Sequence, residues 1–216
     1  MVRIAFKSSA GLLAVAALLA PILSVRASDT CSVSVTKKGV ALTGNATVED
    51  GDTIWVGIHK VRLYGIEALE HDQPCWKDGK RLKCSERSVA ALTERIKDQT
   101  LKCQIDRGKY GRPLMSYNRY LGTCFLDDGS ELNRWLVRQG WALAEPTARG
   151  KIYKETELLA AKEKLGIHIA QFDRPKDYRR SRNGAYKSCP KEYQCVRSNR
   201  TDIEELLATF DKARSD

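Results

Sequence analysis

The hydrophobic positions of this chain change period several times, and each change marks an element. Thr43–Val48 predicts a first strand, and Asp50-Gly51 is a dipeptide that turns tightly between strands. Two β-rich runs follow, Asp52–Gly57 and Lys60–Ile66, carrying Ile, Val, Trp and Tyr, with His59 and Lys60 where the chain must turn again. Thr100–Asp106 alternates Leu101, Cys103 and Ile105 with polar partners, and Tyr117–Leu126 is β-like before the Asp127-Asp128-Gly129 turn. Elsewhere the spacing is helical. Val89, Leu92 and Ile96 share one face of a helix predicted over Glu86–Lys97, with Ser85 as its cap. Leu132, Leu136 and Val137 predict a short helix ended by Gly140, and Ile152–Leu165 a third that buries Leu158, Leu159 and Ala161 and stops at Gly166. His71–Lys83 and Arg107–Ser116 are polar, with Gly and Pro, and predict loops. Five strands with helices inserted between and after them predict an α+β chain, mainly β, that closes as a small barrel rather than a parallel sheet.

The ends of the chain follow other patterns. Residues 1–27 have the form of a signal peptide: Arg3 and Lys7, an apolar run from Ala10 to Val25, and Val25-Arg26-Ala27 as a small-x-small cleavage site. That run is broken by Pro21 and is short of the roughly 20 residues a membrane span needs, and no other segment is apolar enough to cross. Residues 28–42 then form an N-terminal segment and 43–180 the folded domain. From Asp173 the composition shifts to a basic, Gly/Ser/Asn-containing linker. Residues 181–216 form a basic C-terminal extension with a short helix near Asp202–Phe210. The formal net charge is +10; losing Arg3, Lys7 and Arg26 with the leader lowers it to +7. A basic exported protein, expected to be a monomer without a membrane span, favours polyanionic partners such as nucleic acid.

All seven cysteines fall after residue 27. In an exported protein the default is disulfides. Cys75 and Cys84 bracket a short polar loop, Cys103 and Cys124 lie in runs that can be hairpin neighbours, Cys189 and Cys195 are close together, and Cys31 is left over. No C-x-x-C pair occurs, and His59, His71 and His168 are scattered, which reads as surface or packing histidines rather than a metal site.

Chemistry gathers in Asp50–Glu70, DGDTIWVGIHKVRLYGIEALE. A meander brings its first and last residues to neighbouring strand ends, so Asp52 and Glu67 can share one hard cation with Arg62 and Glu70 beside it. The strings D-G-D-T and R-L-x-G-I-[DE]-A-x-E, together with Leu136-Val137-Arg138-Gln139-Gly140-Trp141-Ala142 further on, resemble the thermonuclease (staphylococcal-nuclease-like) family over about Thr43 to Arg180. The resemblance implies a five-stranded OB-fold barrel with three helices, and Ca²⁺-dependent hydrolysis of phosphodiester bonds in DNA or RNA. It makes Asp52, Glu67 and the backbone carbonyl of Ala68 the metal ligands. It makes Glu70 the group that positions or deprotonates water, and Arg62 a phosphate clamp. A catalytically weak nucleic-acid-binding barrel is the alternative it allows.

The family carries a second arginine in a Tyr-Gly-Arg step. Tyr110-Gly111-Arg112 matches it by letter; Tyr117-Asn118-Arg119 matches with Asn, which tolerates left-handed backbone. In exported relatives the arginine falls close before the strand's cysteine. Arg119 stands five residues before Cys124 and Arg112 twelve, so spacing favours Arg119, with Arg112 the competitor. Lys109, Tyr110, Arg112 and Tyr117 are then substrate contacts. Three departures from the family pattern stand out: Glu67 replaces an aspartate, Leu69 replaces a proline, which is expected to loosen the turn that aims Glu70, and Glu145-Pro146 replaces an aromatic that would stack on a base or sugar.

Overall fold

The computed structural model describes residues 31–36, 39–108, 110 and 112–181. The leader expected over residues 1–27, the helix expected near 202–210, Lys109, Cys189 and Cys195 lie outside the described residues. In chain order the strands begin with β1 (Ser32–Thr36), β2 (Gly39–Asp50), β3 (Thr53–Val56), β4 (His59–Leu63), β5 (Ile66–Glu67), β6 (Cys75–Lys77) and β7 (Lys80–Leu82). Then come α1 (Cys84–Ile96), β8 (Thr100–Ile105), β9 (Met115–Ser116), β10 (Arg119–Phe125), α2 (Leu132–Arg138), β11 (Leu143–Ala144), α3 (Lys154–Lys162) and α4 (Pro175–Ser181).

Strands β2, β3, β4, β10 and β8 pair in that order, and β8 returns to β2, which closes a five-stranded barrel with the α+β architecture of an OB fold. The β4–β10 ladder is parallel, setting Arg62 opposite Leu121; the other barrel ladders are antiparallel. One long strand makes closure possible. β2 pairs β8 over Val40–Asn45 and β3 over Ala46–Asp50, with a register shift between Val48 and Asp50 that bends it. Alternation along the strands turns Leu42, Ile54, Val61, Leu63, Leu101 and Ile105 inward, where each is 3 % exposed or less. Leu92 and Ile96 of α1 and Leu132, Leu136 and Val137 of α2 join the same core. A smaller cluster outside the barrel gathers Leu69, Cys75, Cys84, Leu143, Ile167 and Phe172.

Disulfides join Cys75 to Cys84 and Cys103 to Cys124. The first ties the β6–β7 hairpin to the start of α1. The second crosses directly opposed positions of β8 and β10, and its separation of 21 residues corresponds to about 3 kcal/mol of stabilisation on a chain-entropy estimate. Cys31 is a free, half-buried thiol.

Several local expectations need correcting. Helix α1 starts at Cys84, so Ser85 is not its cap; its hydroxyl donates to the His71 carbonyl (2.9 Å), and the N-cap position, Lys83, makes no side-chain cap bond. The His71–Lys83 stretch contains the β6–β7 hairpin, and Arg107–Ser116 ends in β9. The segment before residue 43 contributes β1 and the first third of β2. Ile152–Leu165 begins within a 3₁₀ turn, Gly150–Tyr153, before α3, whose buried residues are Thr156, Glu157 and Ala160 instead of the leucines. Glu157 is inside because the Ala144 N–H (2.8 Å) and the Arg174 guanidinium bond its carboxylate. The stretch taken as a linker from Asp173 contains α4, with Pro175 in its first turn and Arg179 and Arg180 in its last. Gly140 does end α2, at φ 70°; a Cβ there would stand 2.2 Å from the Leu165 carbonyl oxygen.

Candidate active site

Asp52 sits at the entry to β3 and is 4 % exposed. Its carboxylate survives burial because four donors surround it. The Arg62 fork meets both oxygens, Nη1 to Oδ1 at 2.9 Å and Nη2 to Oδ2 at 2.8 Å; the Thr53 hydroxyl adds a bond to Oδ1 (3.0 Å) and the Ala68 N–H one to Oδ2 (3.1 Å). The strand register dictates the ion pair, since Arg62 lies opposite Thr53 across β3–β4. Burial still pushes the Asp52 carboxyl up to about 6, against the pull of Arg62.

Glu67 lies in β5, paired with Leu143 of β11, and is 2 % exposed. Its Oε1 accepts from Arg179 Nη2 at 2.8 Å, and its Oε2 is buried without a hydrogen-bond partner. Glu70 accepts from Arg179 Nη1 at 2.6 Å. The Glu70 turn is not loose. Leu69 is 4 % exposed and packs with the Cys75–Cys84 disulfide, so burial fixes the position that a proline would have stiffened. Gln73 closes the turn from the other side: its backbone N–H donates to the Glu70 carbonyl (3.0 Å), and its side-chain oxygen accepts from the Glu70 N–H (3.1 Å).

The opposite wall comes from the β9–β10 hairpin. Tyr117 and Asn118 are its two central residues, with φ of 49° and 61°, the left-handed pair that a tight two-residue hairpin requires. Asn adopts this readily; the strained residue is Tyr117, which is 91 % exposed. The turn makes Arg119 the first residue of β10. Its Nη1 donates to Thr53 Oγ1 at 3.5 Å, and its Nε is buried without a partner.

Together these residues enclose an open cleft of ≈ 660 Å³. Arg62, Arg119 and Arg179 line it with Asp52, Glu70 and Tyr117, and Glu145 stands at the position where the resemblance implied an aromatic. Ala68 also lines it, whereas Glu67 lies behind the wall. Arg112 is exposed on the 107–113 loop, where its carbonyl accepts from the Gly108 N–H (2.8 Å), and neither it nor Tyr110 lines the cleft.

The donor chemistry suits a hard cation: two buried carboxylates and a carbonyl, with one carboxylate oxygen of Glu67 unpartnered. Among the described residues no three His, Cys, Asp or Glu side chains are grouped closely enough to hold a metal ion; guanidinium groups stand against the carboxylates instead.

Sequence reasoning missed Arg179, Arg174 and Gln73. Arg174 reaches Glu157 and the Ala144 carbonyl (3.2 Å), and the Gln73 side-chain amide donates to the Asp173 carbonyl (2.6 Å), so the segment entering α4 is stitched to the Glu70 loop. The available signal was a proline followed by an aspartate and then arginines, a short-helix signature inside a run that reads as merely basic.

The family model described as staphylococcal nuclease homologue matches residues 60–169. Arg62, Glu67, Glu70 and Arg119 fall within that stretch and Asp52 just before it. The succinoglycan biosynthesis protein ExoI of Rhizobium meliloti (strain 1021) is 33% identical over 131 residues, which cover 59% of this chain and 65% of that protein. No helix among the described residues is long and apolar enough to cross a membrane.

Proposed function

This chain belongs to the family of staphylococcal nuclease homologues, and on that premise we propose that it is an exported, metal-dependent endonuclease that hydrolyses phosphodiester bonds of DNA or RNA. The observation that carries the reading is the convergence of Arg62, Arg119 and Glu70 on one open cleft beside the buried Asp52. In this reading Arg62 and Arg119 donate to the phosphate oxygens through planar forks that can each make two parallel hydrogen bonds. Glu70 positions the attacking water and takes its proton. Asp52, Glu67 and the Ala68 carbonyl would hold Ca²⁺, which would supply positive charge to neutralise the charge building on the phosphate. Tyr117 contacts the substrate at the cleft, with Lys109, Tyr110 and Arg112 as peripheral contacts along the strand. Two disulfides agree with an oxidising destination, and residues 1–27 supply the leader.

A second reading, a nucleic-acid-binding barrel with weak catalysis, is favoured by one observation: both Glu70 and Glu67 are ion-paired to Arg179. Digestion of single- and double-stranded DNA and RNA, with Ca²⁺ and with chelator, separates the two. The nuclease degrades nucleic acid with Ca²⁺, stops with chelator, and loses about 10²-fold or more in turnover as Glu70→Gln. Equal turnover for Glu70→Gln and wild type leaves the binding barrel.

A further inference from the structure

The Arg179 guanidinium spans two carboxylates that the nuclease reading assigns to different tasks. One nitrogen is 2.6 Å from Glu70 and the other 2.8 Å from Glu67. Glu67 is nearly sealed, its side chain 3 % exposed, whereas that of Arg179 is 42 % exposed. The buried charge is therefore neutralised by a group that reaches in from the rim. Arg179 is one of several contacts that dock the helix carrying it: Pro175 and Tyr178 are buried, the Tyr178 hydroxyl donates to the Asp72 carbonyl (3.3 Å), and Arg174 and Gln73 hold the segment just ahead of the helix. Helix α4 also lies beyond residue 169, outside the stretch the family model covers.

A guanidinium and a divalent cation want the same oxygens. An oxygen that accepts a charge-assisted bond cannot also sit in the coordination sphere of Ca²⁺ without placing like charges a few ångströms apart in a part-buried cleft. We propose that Arg179 is a built-in counter-ion that competes with the divalent cation for Glu67, so that cation binding draws the arginine away from Glu67 and Glu70 and loosens α4. The inference rests on the cation assignment made above and adds a residue and a helix to it. Glu67 Oε2, buried and unpartnered, is the oxygen from which exchange starts, because no protein bond must break there first. Competition also makes α4 a gauge of occupancy: its docking reports whether Glu67 holds Arg179 or the cation.

Calorimetric titration of Ca²⁺ into the full chain tests this, using wild type, Arg179→Ala, Arg179→Gln and Arg180→Ala. Arg180 makes an exposed pair with Asp177 and serves as the charge control. Both Arg179 variants are expected to bind Ca²⁺ at least tenfold more tightly than wild type, with Arg180→Ala unchanged. In wild type, which needs no variant to fold, saturating Ca²⁺ is expected to speed amide exchange across Pro175–Ser181. Equal affinity in wild type and the Arg179 variants overturns the proposal, and weaker affinity overturns it by making Arg179 a residue that shapes the site. Unchanged exchange in α4 overturns the coupling. If none of the four proteins binds Ca²⁺, the cation assignment fails and takes this inference with it.

Discussion

Replacing Arg174 with methionine removes a guanidinium while keeping most of the side chain's bulk. In the native protein that guanidinium pairs with Glu157, whose side chain is 6 % exposed, and donates to the Ala144 carbonyl. After Arg174→Met the carboxylate keeps only the Ala144 N–H bond seen at 2.8 Å. Breaking a buried pair by removing one partner costs about 3–5 kcal/mol. Arg174 is itself 28 % exposed, so water relieves part of the loss and the expected cost is about 3 kcal/mol. For a domain of this size that lowers Tm by roughly 6–12 °C. Urea unfolding should show a lower midpoint with an unchanged m-value. The pH dependence identifies the cause. Burial already raises the Glu157 carboxyl against the pull of Arg174, and losing Arg174 raises it further. A carboxyl whose folded pKa lies above its unfolded value destabilises the fold as pH rises through the folded value. The deficit of Arg174→Met should therefore shrink on acidification, and adding Glu157→Gln should recover most of it at neutral pH. A loss under about 1 kcal/mol, or a deficit that grows on acidification, would refute the buried-charge account.

Two further outcomes are expected. Arg119→Ala should lower single-turnover cleavage by several powers of ten, whereas Arg112→Ala should mainly weaken nucleic-acid binding and reduce its salt slope by about 1; the reverse pattern would return the phosphate role to Arg112. Burial, with Arg174 nearby, lowers the His168 imidazole from 6.5 to about 4, so the unfolded chain takes up a proton that the fold refuses and stability falls as pH drops from about 6.5 to about 4. Comparison with His168→Gln isolates this contribution, at most about 3 kcal/mol, from the opposite slope that the raised Asp52 carboxyl gives in nearly the same window; identical pH profiles for the two proteins would rule it out.

The barrel was legible because its physics is local. Alternation in Thr100–Asp106 and in the meander from Asp52 to Ile66 follows from burying one face of each strand, and the left-handed hairpin pair at Tyr117-Asn118 favours Asn; the turn expected at His59 and Lys60 falls instead on Gly57 and Ile58, and that expected at Asp50-Gly51 on Gly51 and Asp52. Pairing of Asp52 with Arg62 follows from register once β3 and β4 are adjacent. What could not be read locally was where long-range contacts replace a local rule. Leu69 carries no sign that it packs on a disulfide, and Glu157 looks like any exposed glutamate on a helix until Arg174 and Ala144 are brought to it. Arg179 is 109 residues from Glu70, and its run is too short and too basic for helical periodicity to stand out. Leu158 and Leu159 stay only half-buried for the same reason: periodicity ranks apolar side chains, and here a buried charge pair decides which face turns inward.

Seen from the structure, the two departures around Glu70 and the helix beyond the family match form one arrangement. A carboxylate in β5 must have a counter-charge because it is almost sealed. The longer side chain of Glu67 reaches the guanidinium of Arg179, and an aspartate would end one methylene earlier. Arg179 meets both carboxylates because α4 docks on the Glu70 loop through Gln73, Asp72 and Tyr178. That loop presents a fixed surface because Leu69 is buried beside Cys75 and Cys84. Restoring one family residue alone should therefore not restore family geometry. Glu67→Asp would separate the carboxylate from Arg179 and leave the arginine on Glu70, while Leu69→Pro would remove a buried side chain from the cluster that holds the turn. Glu67, Leu69 and α4 are thus tied to one another through Arg179 and the Glu70 loop.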